Sequence, residues 1–365
     1  MSGKSRKKSG DIAAGIVLLF LIGFLSGRIF CAGWDEFSAR TEFIGVSQPA
    51  CELGDVDRTR AALVPGGSMV ADPPSLWAAD SPLSAEAGGR LDIRCLAYFQ
   101  RAYPDVNFAR SWDPLLEDWL ITLTVPADGK GSRVRTTDLY WVGGAMIPAD
   151  ELANADSYRP VFYDYPKELA DPAAMTEEER EAIRRYSSAE NRRNGAGTSM
   201  FFFDFLYQSD TRGHLEAHLT SISFLKHRAN VHERMTGPLA RVEKRILDLA
   251  ARDREVALFL AGIKSNDSYL WRIIAGTKRK SFHSLGIAVD VLPKSQGGKQ
   301  IFWSWARDKH PNDWMLIPLR RRWMPPASVI EAFEAEGFIW GGKWAIWDNM
   351  HFEYRPELIE YNFRR

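Results

Sequence analysis

The run Ser281-Phe282-His283-Ser284-Leu285-Gly286-Ile287-Ala288-Val289-Asp290, followed much later by Asp348-Asn349-Met350-His351, constrains this chain more than any other part of it. Two histidines and an aspartate make a metal-ligand set. Three protein ligands leave zinc an open fourth position, which suits catalysis, whereas a structural zinc is usually closed by four. Any fold built on this reading must bring His283, Asp290 and His351 to one point.

His283 and Asp290 stand seven residues apart. Fully extended, that stretch spans about 23 Å at roughly 3.3 Å per residue, so the chain has to fold back between them. Ser284-Leu285-Gly286 is the expected bend, because glycine adopts backbone angles that other residues avoid. Residues 286–292 then read as a strand. Ile287, Val289 and Val291 would face the core, and Ala288 and Asp290 the site, where a small Ala leaves room for metal or substrate. Asp348 and His351 are three apart and would point to opposite faces of a regular strand. A turn through Asn349-Met350 is expected to bring both inward, His351 as a ligand and Asp348 as an unligated carboxylate.

Those residue types fit zinc-assisted hydrolysis. Neutral imidazoles and a carboxylate bind zinc, which lowers the pKa of its water toward about 7. A free carboxylate, here Asp348, takes the proton and passes it to the leaving amine. A cation then stabilises the tetrahedral oxyanion. Arg272 and Arg279, just upstream of His283, are the candidates.

The pattern Ser281-x-His283-x-x-Gly286-x-Ala288-x-Asp290, then Asp348-x-x-His351, resembles the zinc D-alanyl-D-alanine carboxypeptidase family. That family includes D-alanyl-D-alanine dipeptidases of vancomycin resistance and phage L-alanyl-D-glutamate endopeptidases. Trp271-Arg272-x-Ile274-Ala275-Gly276-Thr277 and Gly341-Gly342-Lys343-Trp344 are similar to parts of its carboxypeptidase-like branch, and the resemblance covers about residues 230–365. It implies His283, Asp290 and His351 as zinc ligands, Asp348 as general base, Ser281 as a substrate contact and Arg272 as the transition-state cation. Some members carry Glu where this chain has Asp348; the endopeptidase-like members use Asp. The implied fold is the compact α+β fold shared with the zinc domain of Hedgehog proteins. The implied substrates are peptidoglycan stem peptides. Removal of a terminal D-alanine is the first expectation and endopeptidase cleavage, at L-Ala-D-Glu or in the cross-link, the second. A non-catalytic zinc module that binds wall peptides is the rival from another class.

The rest of the chain sets the context. Lys4, Arg6, Lys7 and Lys8 precede an apolar run from Ile12 to Leu25. This is expected to be a signal segment or uncleaved anchor over residues 1–33, with the body exported to face the cell wall from the periplasm or the membrane. Outside the cytoplasm, Cys51 and Cys95 are expected to pair. No C-x-x-C occurs, which argues against a cysteine zinc site. Lys plus Arg and Asp plus Glu balance at 47 each, so no global charge points to nucleic acid.

Residues 34–89 are linker-like, residues 90–230 read as a smaller α+β module of unknown role, and residues 231–365 as the zinc domain. Within the module, Leu91–Tyr103 reads as a short helix, Trp119–Val125 as a strand, and Leu139–Ile147 as a hairpin split by Gly143-Gly144. Gly129–Ser132 reads as a hairpin turn and Asn191–Thr198 as a loop. Thr176 with Glu179 has capping-box spacing. Leu239, Val242, Ile246 and Leu249 share one helical face, and Pro326–Glu336 reads as a second helix stopped by Gly337. The aromatic run Phe201–Phe205 is expected in the core. His214 and His218 have the i, i+4 spacing of a helical metal clamp but lack a third ligand. Arg320-Arg321-Arg322 reads as a solvated run. Seven of the thirteen tryptophans lie between Trp303 and Trp347; most are expected to pack, and a few to line a cleft.

Overall fold

The computed structural model describes residues 91–127, 133–272 and 280–364, and within them the architecture is α+β. The apolar run 12–25, Cys51, Gly129–Ser132 and Arg279 lie outside the described residues. Among the described residues no helix is long and apolar enough to cross a membrane.

The N-terminal part begins with a 3-10 turn that runs into the helix Leu96–Ala102. It continues into a three-stranded antiparallel sheet of β1 (Asn107–Asp113), β2 (Asp118–Val125) and β3 (Arg135–Tyr140). On β2 the alternation buries Ile121 and Leu123 in the apolar core. After β3 the chain reverses over Gly143-Gly144, both at positive φ, and Tyr140 bridges back to Ile147. Cys95 is buried and disulfide-bonded. β4 (Tyr158–Arg159) pairs in parallel with β5 (Gly197–Thr198).

Between them the helix Glu177–Tyr186 carries the expected capping box, with Thr176 and Glu179 bonding reciprocally. The expected loop at Asn191–Thr198 is not one. Asn191 sits in the helix Ala189–Asn194, because the Ser188 hydroxyl accepts the Asn191 N–H and caps it, and the segment ends in β5. The aromatic run forms the helix Phe201–Tyr207, which buries Phe202 and Phe203.

The hairpin of β6 (Leu219–Phe224) and β7 (His227–His232) leads to the helix Thr236–Ala250, whose buried face is Leu239, Val242 and Ile246. The site-bearing sheet has the order β10-β11-β9-β8 and is antiparallel throughout. Its strands are β8 (Ile263–Asp267), β9 (Ala288–Pro293), β10 (Phe338–Trp340) and β11 (His351–Tyr354). The helix Ala327–Glu334 precedes β10, and Gly337, at φ 91°, turns the chain between them.

Gly286 makes the expected bend. It ends the 3-10 turn Phe282–Leu285 at φ 68°, and β9 starts two residues later, at Ala288. A Cβ at Gly286 would lie 2.8 Å from the His232 backbone nitrogen, so only glycine fits both the angle and the space. That approach lets His232 N–H donate to the Gly286 carbonyl at 2.9 Å, which ties β7 to the motif.

One apolar cluster runs through both parts. Phe99 of the first helix packs on Phe162 at 4.8 Å, and Phe162 stacks on Tyr361 of the C-terminal helix Pro356–Phe363 at 4.9 Å. The expected division after residue 230 falls inside β7.

Other sequence features resolve into packing. His214 pairs with Asp210, and His218 with Glu233, so the two do not converge. Arg320 and Arg321 are exposed, but Arg322 is buried, contrary to a solvated run. Its guanidinium donates to the Ile317 and Met315 carbonyls and lies 4.5 Å from the Trp347 ring.

His232 is buried, accepts the Arg234 N–H on Nδ1 and caps the following turn. Burial, reinforced by His218 and Arg234, pushes its pKa down to about 3. An unfolded histidine titrates near about 6.5. The stability tied to this group is therefore whole above that value and is lost as pH falls toward its folded pKa. His232→Asn keeps a capping acceptor and removes the titration. Its urea midpoint should fall less steeply than the wild type's between about pH 6.5 and pH 4; parallel curves would assign the acid sensitivity elsewhere.

Candidate metal centre

His351 opens β11 directly opposite Asp290 of β9, and Glu353 lies opposite Ala288. Cross-strand partners share a face, so Asp290, His351, Ala288 and Glu353 all point one way, while Val289 and Phe352 point into the core. The bend at Gly286 folds His283 back over this face. His283 Nε2 then lies 3.1 Å from Asp290 Oδ2 and 3.2 Å from His351 Nδ1, and His351 Nδ1 lies 2.9 Å from Asp290 Oδ1. Ligands of a tetrahedral zinc at about 2.0–2.1 Å stand roughly 3.3 Å from one another, so the spacing suits one ion. All three residues are buried, and among the described residues they form the one group of such side chains that converges.

The outward-facing nitrogens are already committed. His283 Nδ1 lies 2.6 Å from the Ser268 carbonyl, and His351 Nε2 lies 3.1 Å from Glu353 Oε2. Both partners are acceptors, so each of those nitrogens donates its hydrogen. The inward nitrogens then face each other, and Asp290, with lone pairs. Such a cluster needs a cation in its middle. Without a metal, a proton would have to serve. Burial alone would lower the His351 pKa, but hydrogen bonds to Asp290 and Glu353 outweigh it and push it up to about 10. Asp290 shows the reverse balance: burial raises its pKa, but His283 and His351 hold it below the usual carboxylate range.

Two further carboxyls crowd the ligands. Asp348 is buried, and its pKa stands well above the ordinary value through burial and then the charge of Asp290. Asp267, the cross-strand partner of Asp290 on β8, is also raised, by burial and then by Asp290. Like charges placed opposite each other in a sheet are destabilising. A divalent cation among them removes that conflict, so the donor set fits zinc in both geometry and charge.

The turn at Asn349-Met350 is the one expected. Asp348 Oδ1 accepts the Met350 N–H at 3.3 Å, and Asp348 bridges to Phe302. The Asp348 N–H donates to the Gly341 carbonyl, and a Cβ at Gly341 would lie 2.8 Å from the Asp348 carbonyl oxygen.

A cleft of about 580 Å³ opens on His283 and Asp290. Arg228, Lys264 and Arg272 contribute cations to its wall, Asp267 an acid, and Tyr269 and Trp305 aromatic surface.

Residues 275–354 match the family model described as D-alanyl-D-alanine carboxypeptidase. The matched stretch holds the three candidate ligands, Asp348 and Ser281, and it supports a peptidase. Residues 95–163 match a domain of unknown function. No curated protein and no solved structure matches the chain.

Of the residues singled out from sequence, His283, Asp290 and His351 converge, and Asp348 lies close enough to feel the charges of Asp290 and His351. Arg272 lines the same cleft; its backbone N–H donates to the Ser284 hydroxyl, which donates in turn to the Arg272 carbonyl. Ser281 is fully buried at the start of the 3-10 turn and is not on the cleft wall. Glu353, Ser268, Asp267, Arg228 and Lys264 were not anticipated. Glu353 had a signal, because it follows His351 by two residues on a strand and so shares its face. The others come from separate segments and carried none.

Zinc should bind the full chain at about one ion per molecule and release about one proton or more on binding near neutral pH, since a protonated His351 must give up the hydrogen on Nδ1 while keeping the one on Nε2. Calorimetry in two buffers of different ionisation enthalpy measures that number. Release of none would contradict a protonated His351 in the metal-free site.

Proposed function

We propose that this chain is a zinc peptidase that acts on peptidoglycan stem peptides and removes a terminal D-alanine. One observation carries the reading. Three inward lone-pair atoms stand 2.9–3.2 Å apart, each histidine locked by an acceptor behind it, and two of the three residues, His283 and Asp290, line a cleft. The family match over residues 275–354 supplies the reaction class.

Zinc held by His283, Asp290 and His351 would supply a Lewis acid that polarises the scissile carbonyl. The chain's own residues do the rest. Asp348 stands beside the ligands in a dry environment, where burial moves a carboxyl toward the range in which it can both take and return a proton. Its proposed part is to accept the proton of the attacking water and deliver it to the leaving amine. The wall cations Arg228, Lys264 and Arg272 suit a substrate that ends in a carboxylate. Arg272, anchored through Ser284 to the His283 turn, is the one we assign to the developing oxyanion. The basic and apolar N-terminal segment supports a location outside the cytoplasm, where wall peptides are the available substrate.

Purified full-length protein loaded with zinc should shorten a synthetic stem pentapeptide by one alanine, read by mass spectrometry. Cleavage between L-Ala and D-Glu instead would make it an endopeptidase. Intact peptide at full zinc occupancy would leave a binding module. Asp348→Asn should keep the metal and lower kcat by about 10²–10⁴-fold; an unchanged kcat would remove Asp348 from the reaction.

A further inference from the structure

Behind His351 runs a line of buried charges that the proposed reaction does not use. Glu353, Arg355 and Glu357 are each 0% exposed. Glu353 Oε2 faces His351 Nε2 at 3.1 Å, and its other oxygen accepts from Arg355 Nη1 at 3.4 Å. Arg355 Nε donates to Glu357 Oε1, and Glu357 Oε2 accepts from the Tyr103 hydroxyl at 2.7 Å. Arg355 Nη2 donates to the Val161 carbonyl at 2.9 Å. Phe282 and Phe203 pack on the guanidinium at 4.7 and 4.9 Å.

Stability is a poor reason for such a line. Removing ions from water is costly, and apolar residues of similar volume often do as well or better. Orientation is a better one. A histidine that donates its outer N–H to a fixed carboxylate is held in one tautomer and one ring rotation. Glu353 puts the His351 hydrogen on Nε2 and so turns the Nδ1 lone pair toward Asp290 and His283. Glu353 is held in turn from its other oxygen by Arg355. Among the groups that seat Arg355 from outside the sheet, beside the rings of Phe203 and Phe282, are Tyr103, through Glu357, and Val161. Both lie in the segment that matches a domain of unknown function.

We propose that the 95–163 segment is the back wall of the metal centre. By seating Arg355 through Val161 and the Tyr103–Glu357 pair, it holds Glu353 against His351 and sets the affinity of the site for a divalent metal. Glu353 and Arg355 are positioning residues, and Tyr103 acts through them. This rests on the zinc reading of the site.

The test measures zinc affinity of the full chain by competition with a chromophoric chelator, independently of any activity. Glu353→Gln should bind zinc about 10–100-fold more weakly, the usual effect of losing an outer-shell partner. Tyr103→Phe, which removes one hydroxyl, should weaken binding by less, and it keeps the test open if Glu353→Gln fails to fold. In the double variant the Tyr103 effect should vanish, because its path to the metal runs through Glu353. Leu123→Val, a core change in the same segment whose side chain can form no hydrogen bond in this line, should leave zinc affinity unchanged. Wild-type affinity in both single variants would overturn the proposal. So would full additivity in the double variant, or an equal loss in Leu123→Val. A wild-type chain that binds no zinc would instead overturn the metal site itself.

Discussion

Strand β11 lies against β9 with His351 opposite Asp290, and the rest of the site is arranged around that register. A slip of one residue would move every side chain of β11 to the other face. His351 and Glu353 would then turn toward the core, and Phe352 would face the ligands. Val289, Phe352 and Phe333 oppose this slip. Phe352 stacks on Phe333 at 3.8 Å, inside the apolar layer beneath the sheet. The face that carries His351 and Asp290 is therefore held in place by what its opposite face buries. The same pairing sets the electrostatics, because it places an imidazole between Asp290 and Glu353 with acceptors on both sides.

The second constraint is backbone proximity at Gly286. His283 reaches the sheet face only because the chain turns through a left-handed angle, and the turn is sealed by the His232 N–H. Ser284, inside that turn, anchors Arg272. One local conformation thus positions a ligand, a wall cation and the junction with the β6–β7 hairpin.

Much of this centre was legible because its residues are local in sequence. The fold-back at Gly286, the strand phase that puts Ala288 with Asp290 and the turn at Asn349-Met350 follow from glycine chemistry and period-2 alternation. What escaped depends on tertiary contact. Nothing local marks Ser268 as the acceptor for His283, or Arg228 and Lys264 as neighbours of Arg272 across a cleft. Arg322 read as a surface charge because its burial depends on Trp347 and two carbonyls it caps, and a run of three arginines does not show that. The helix at Ala189–Asn194 was missed for a smaller reason: its cap, Ser188, sits in a polar stretch that looks like any loop.

The apolar cluster that joins Phe99, Phe162 and Tyr361 has a consequence for how the described residues come apart. Elements that share one core and a buried ion line have no seam along which to open separately. Heat or denaturant should disrupt the first helix, the sheet β1–β3 and the face that carries His283, Asp290 and His351 together, in one sharp transition rather than two. Damage to the surface of the N-terminal part would then be felt as loss of the whole folded population, and an added metal ion would shield a helix far from its own ligands from proteolysis.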